Sequence, residues 1–188
     1  FSNNETWLFL VFLLLGILSI IAAIKYTVGK GAYGYNGLGD VFVFVFFGIV
    51  GVLGSYYLFT QTFNWSTIFG SLFTGLLSCG VLNMNNLRDY ENDLKSNKNT
   101  LVVYLGIKKS KLYQIFLITL AIISFLVIIK VADNNMLWIT CFPFIFLVRH
   151  VIFVNTNKEL DKFDSQLKII ALSCFISCLS LLVCSILI

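Results

Sequence analysis

Asn85, Asp89 and Asp93 recur every four residues in the stretch "NNLRDYENDLKSNKNTL", residues 85–101, with Asn86, Arg88, Glu91, Lys95 and Lys98 among them. Neither Pro nor Gly falls between 81 and 95, so a helix there stacks the three oxygen-bearing side chains on one face. Carboxylates at that spacing repel by a few tenths of a kcal/mol in water, and by more beside a low-dielectric membrane, unless a cation lies between them. Mg²⁺ takes six oxygens at about 2.0–2.1 Å and is usually held by one or two carboxylates, with waters and substrate phosphate oxygens completing the shell. Asp89 and Asp93 therefore suit a metal-held diphosphate, and Arg88, Lys95 and Lys98 add cations that could meet its oxygens. Asp-x-x-x-Asp alone is a weak pattern, and a solvated charge cluster is the competing reading.

The elements that must position these residues are membrane helices. Hydrophobic residues make up 59% of the chain and charged residues only 12%, with a mean hydropathy of +0.91. A soluble domain carries about 25% charged residues, and a helix needs about 20 apolar residues to cross a bilayer. Six spans are expected near residues 7–24, 40–60, 66–82, 112–129, 136–153 and 167–188, giving an all-α polytopic bundle in one transmembrane domain, 1–188. No basic segment precedes the first run, so it reads as a span and not as a signal peptide. The five cysteines, at 79, 141, 174, 178 and 184, lie in apolar runs without metal-ligand spacing and read as packing residues. Pro143 is expected to kink the fifth span.

Alternating spans put residues 25–39, 83–111 and 154–166 on one side of the membrane. That side holds ten Lys and Arg residues, against Lys130 alone in the opposite loops. Short basic loops stay in the cytoplasm, so the polar stretch faces the cell interior. The net charge of +4 is accounted for by this asymmetry and by anionic lipid; no nucleic-acid motif is present. Among other polar residues, Asp40 is expected to cap the helix that follows it, and Glu159, Asp161 and Asp164 read as a solvated loop. Arg149 is expected to snorkel at the end of a span beside His150.

The run "NNLRDYENDLKSNKNTLVVYLG" resembles the second aspartate-rich motif of the UbiA superfamily of intramembrane prenyltransferases, nearest the branch that prenylates 1,4-dihydroxy-2-naphthoate in menaquinone synthesis. A second stretch, "GYNGLGDVFVFVFFGIVGVLGSYYLFTQT" at residues 34–62, is similar to a Gly-Leu-Gly-acidic loop and helix of the same branch. The resemblance implies a nine-span helical fold of which these are spans four to nine. A first aspartate-rich motif would then lie in a missing N-terminal part, and this stretch alone would be inactive. It implies Mg²⁺ on Asp89 and Asp93, with diphosphate contacts from Asn85, Asn86, Arg88, Lys95 and Lys98. It also implies transfer of a polyprenyl group from its diphosphate to an aromatic acceptor, with decarboxylation, in the bacterial inner membrane. Other acceptors (4-hydroxybenzoate, homogentisate, haem) remain open, as does a transporter. Leu94, Asn97 and Tyr104 depart from the family pattern, in which a basic residue, Gly and Arg are usual at these places.

Overall fold

The computed structural model describes residues 3–29 and 32–187; Lys30, one of the ten basic residues above, lies outside them. Six helices are long and apolar enough to cross a membrane, as the sequence predicts. They are α1 (Asn3–Thr27), α2 (Gly39–Thr60), α3 (Trp65–Arg88), α5 (Leu101–Ala132), α6 (Asn135–Thr156) and α7 (Leu160–Leu187). A short helix, α4 (Tyr90–Lys95), joins α3 to α5. The chain is an integral membrane protein.

Side-chain caps set several boundaries. Asn64 Oδ1 accepts the Ser66 N–H at 2.7 Å to open α3, and Thr100 Oγ1 accepts the Val103 N–H at 3.4 Å to open α5. Helix α5 therefore begins well before residue 112, and Lys108, Lys109 and Lys111 ride its early turns instead of lying in the expected loop. At 1.5 Å per residue its regular part, residues 107–132, rises about 39 Å, more than the roughly 30 Å hydrocarbon core, so its basic end can project into the headgroups. Gly106 breaks that end with φ 74° and ψ 162°, a conformation essentially reserved for Gly that costs about 1–3 kcal/mol once a Cβ is present. Pro143 caps the regular helix Phe144–Thr156, behind a 3₁₀ segment over Asn135–Cys141, so the expected kink takes the form of a change in helix type.

Helix α3 is central: half of its most apolar window is buried, and it packs against α2, α5 and α7. Phe73 meets Phe125 at 4.8 Å between ring centroids, and Phe125 meets Phe144 edge-on at 5.1 Å, joining α3, α5 and α6. Helix α2 widens into π-helical turns over Phe44–Gly54, and there Gly48 crosses α3 in close contact. A Cβ at Gly48 would stand 2.7 Å from the Ser71 carbonyl oxygen and 3.0 Å from Gly75 Cα, both backbone atoms that cannot step aside. Gly48→Ala should therefore cost about 1–3 kcal/mol and lower the thermal unfolding midpoint in detergent. Gly54→Ala, whose nearest neighbour is 3.7 Å away, should not.

Candidate diphosphate-binding site

Helix α3 stops at Arg88, and Asp89 adopts φ −89°, ψ 6° between α3 and α4. The uninterrupted helix expected over 81–95 is thus broken at Asp89. The spacing of the face survives, because the Asp89 N–H still donates to the Asn85 carbonyl at 3.0 Å and the Asp93 N–H to the Asp89 carbonyl at 2.9 Å. Helix α4 ends in a left-handed turn at Asn97, φ 54°, which supplies the conformation that Gly would. In that turn the Lys98 N–H reaches back to the Asp93 carbonyl at 2.9 Å and the Asn97 N–H to Leu94 at 3.3 Å. The reversal brings Lys98 Nζ to 3.2 Å from Asp93 Oδ1.

Each carboxylate therefore has its own cation from the protein, and this answers the repulsion for which the sequence alone suggests only a metal. Arg88 grips Asp89 with two prongs, Nε to Oδ1 at 2.8 Å and Nη2 to Oδ2 at 2.9 Å. Nη2 also donates to Asn85 Oδ1 at 2.8 Å, and Nη1 to Asp164 Oδ1 at 2.6 Å. Four of the five N–H groups of a guanidinium are then engaged, so Arg88 serves here to orient Asn85, Asp89 and Asp164. The Arg88 hydrogen bonds hold the Asp89 carboxyl below the usual carboxylate range against the opposing pull of burial, helped by the charges of Arg88 and Lys98. Asp89 is ionised throughout the neutral range.

Asp93 is 5% exposed, and its Oδ2 is buried without a hydrogen-bond partner. A buried carboxylate oxygen whose lone pairs meet no donor is costly in isolation and suited to a cation. Among the described residues no three His, Cys, Asp or Glu side chains converge as a metal cage. Two carboxylates with the remaining shell left to substrate oxygens and water is the donor set Mg²⁺ accepts, so Asp89 and Asp93 fit that ion.

The other candidates divide. Lys95 is exposed and has no ion pair among the described residues, and Asn86 is buried at 4% exposure outside the Arg88 grip. Tyr104 is 67% exposed, and its ring stands against Gly37, where a Cβ would meet it at 3.1 Å. It helps dock the 33–38 loop on the 97–104 segment, together with the Asn99 N–H bonded to the Tyr35 carbonyl at 3.0 Å and Lys98 5.8 Å from the Tyr35 ring centroid. The two stretches that carry the family resemblance thus meet in space. Asp40 is not a cap: Leu38 holds the cap position of α2, and the Asp40 carboxylate accepts from Tyr113 Oη at 3.2 Å. Asp164 is not merely solvated, since it holds Arg88, whereas Glu159 pairs with exposed Lys162. His150 does not end a span; it is fully buried, with helix continuing to Thr156. Arg149 beside it is exposed.

Asn85 also lines an open apolar groove of about 710 Å³ between α2, α3 and α7, walled by Phe47, Leu77, Val81, Ile170 and Phe175 among others. A family model described as the UbiA prenyltransferase family matches residues 6–184. The chain belongs to that family. It is 44% identical over 164 residues to a Haemophilus influenzae protein named 1,4-dihydroxy-2-naphthoate octaprenyltransferase, covering 84% of this chain and 53% of that protein. It is 53% identical over 106 residues to the Escherichia coli (strain K12) protein of the same name, covering 56% of this chain and 34% of that protein. A Synechocystis protein named 2-carboxy-1,4-naphthoquinone phytyltransferase is 28% identical over 122 residues, covering 63% of this chain and 40% of that protein. The chain spans about half the length, or less, of these curated relatives. No solved structure matches it.

Nothing in the sequence marks Asp164 as a site residue, because its partner Arg88 is 76 positions away. Asn83, Gln114 and Gln166 do carry a signal, since an amide within or beside an apolar run must find a buried partner, and all three are buried.

Proposed function

We propose that the protein transfers a polyprenyl group from its diphosphate to 1,4-dihydroxy-2-naphthoate, in menaquinone synthesis, at the cytoplasmic face of a bacterial inner membrane. The observation that carries this reading is the abutment of a charged site with an orphaned Asp93 oxygen on an apolar groove that Asn85 also lines. The names of the relatives supply the acceptor. Asp89 and Asp93 would hold Mg²⁺, which when bound supplies Lewis-acid stabilisation of the departing diphosphate. Arg88 keeps Asp89 aimed and ionised, Lys98 offsets charge beside Asp93, and Lys95 and Asn86 remain candidates for contacts made once substrate is present. The apolar walls shield the allylic cation from water as its C–O bond breaks and the diphosphate leaves with the electron pair. The ring carbon bearing the carboxylate then forms the new C–C bond, and the carboxylate departs as CO₂.

The testing assay supplies the full-length protein in membranes with a polyprenyl diphosphate, Mg²⁺ and a panel of acceptors. Prenylated, decarboxylated product from 1,4-dihydroxy-2-naphthoate is expected. Transfer to 4-hydroxybenzoate or homogentisate instead would overturn the acceptor assignment. For orientation, cysteines replacing Asn92 and Asn135 in an otherwise cysteine-free protein should differ in intact cells: an impermeant thiol reagent should label position 135 alone. Labelling at 92 alone would reverse the topology.

A further inference from the structure

Four spans meet in a chain of buried polar side chains centred on one histidine. Asn83 of α3, Gln114 of α5, His150 of α6 and Gln166 of α7 are all at most 5% exposed. Asn83 Nδ2 donates to the Ser110 carbonyl at 3.1 Å and to Gln114 Oε1 at 2.8 Å. Gln114 Nε2 then donates to His150 Nε2 at 3.0 Å, which leaves His150 Nδ1–H to donate to Gln166 Oε1 at 2.9 Å. Every link has one donor and one acceptor when the imidazole is neutral with its proton on Nδ1. Gly80 permits the approach, since a Cβ there would lie 3.2 Å from Gln114 Nε2.

The two ends of this chain sit beneath the charged site. Asn83 precedes Arg88 by five residues on α3, and Gln166 follows Asp164 by two on α7. Above them, Arg88 and Asp164 form the ion pair that joins the same two helices. With side chains 29% and 59% exposed, that pair is too solvated to fix the helices by itself. The buried chain can, because its amides find no water if the register slips.

We infer that His150 is a positioning residue: it holds α7 in register with α3 so that Asp164 holds Arg88, and Arg88 holds Asp89, for the prenyl diphosphate. The inference rests on the proposed function and assigns His150 no contact with substrate. Residues that orient a ligand set from behind it typically contribute about tenfold to a hundredfold in affinity or activity. In His150→Phe of the full-length protein, the KM for polyprenyl diphosphate should rise about tenfold while that for the acceptor stays put. His150→Gln, which keeps one donor and one acceptor, should recover most of the loss. The triple variant Gln114→Leu, His150→Phe, Gln166→Leu removes the imidazole together with both of its amide partners and leaves Asn83 its bond to the Ser110 carbonyl, so it should regain most of the unfolding midpoint but not the diphosphate KM. Spin labels at Asn92→Cys and Asp161→Cys, in a cysteine-free background, read the register without any turnover, and His150→Phe should broaden their distance distribution. An unchanged distribution, an unchanged diphosphate KM, or a triple variant normal in both would overturn the positioning role. If the unsubstituted protein transferred no prenyl group while the label distances still broadened, the functional reading alone would fail.

Discussion

Asp93→Asn is expected to reduce turnover about a hundredfold to a thousandfold, the loss of roughly 3–4 kcal/mol usual for one metal-type or oxyanion-type contact, while the bundle stays folded. Asparagine keeps the volume of a side chain that is only 5% exposed, so packing around α4 should hold. What changes is the free oxygen: Oδ2 has no partner, and Asn either presents an N–H₂ there or a neutral oxygen that binds a hard cation weakly. Asp89→Asn should behave alike, and the double variant should lose much less than the sum because both carboxylates act on one ion. Glu91 is exposed and lies across α4 from Asp93, so Glu91→Gln should be nearly silent in the same steady-state assay. Equal losses at positions 91 and 93 would mean that general charge, not a defined grip, is what the stretch supplies.

Arg88→Lys should lower kcat/KM for the prenyl diphosphate by about tenfold to a hundredfold although the charge is unchanged. A single ammonium cannot reproduce the fork that meets both oxygens of Asp89 while reaching Asn85 and Asp164. Asp164→Asn added to Arg88→Lys should cost little more, since both act through one grip. Raising the pH should not rescue Arg88→Lys. The Asp89 carboxyl is lowered in the folded state, so stability from its ion pair is complete above about pH 4 and is lost only as pH falls through the lowered value. Between pH 6 and 9 its charge is constant, and the defect in the variant is one of geometry. Kinetics across that range measure this directly; recovery at high pH would mean that Asp89 had become protonated.

Much of the fold was legible because membrane spans announce themselves by length and apolarity, and all six expected spans are present. Their edges were harder. The lysines at 108, 109 and 111 read as loop, yet Thr100 caps a helix that carries them, because a helix can extend past the bilayer where charges are solvated. At the site, the four-residue spacing of Asn85, Asp89 and Asp93 and the left-handed turn at Asn97 were both local properties, and local properties survive into the structure. Roles set by distant partners did not show. Nothing local in the sequence ties Arg88 to Asp164 and Asn85 as well as to Asp89, and Asp40 reads as a cap although Tyr113 holds its carboxylate. Tyr104 looked like a defect in a cationic pattern, and it is a surface on which the 33–38 loop rests.

Equilibrium binding of a radiolabelled polyprenyl diphosphate to the full-length protein in lipid nanodiscs, titrated with Mg²⁺, probes the metal-held diphosphate without requiring turnover or an acceptor. Binding to the unsubstituted protein should strengthen steeply with Mg²⁺, whereas Asp93→Asn should retain only the weak, metal-independent binding that the apolar groove supplies. If Asp93→Asn bound the diphosphate with the same Mg²⁺ dependence as the unsubstituted protein, the assignment of Asp89 and Asp93 as the grip on a metal-held diphosphate would be contradicted.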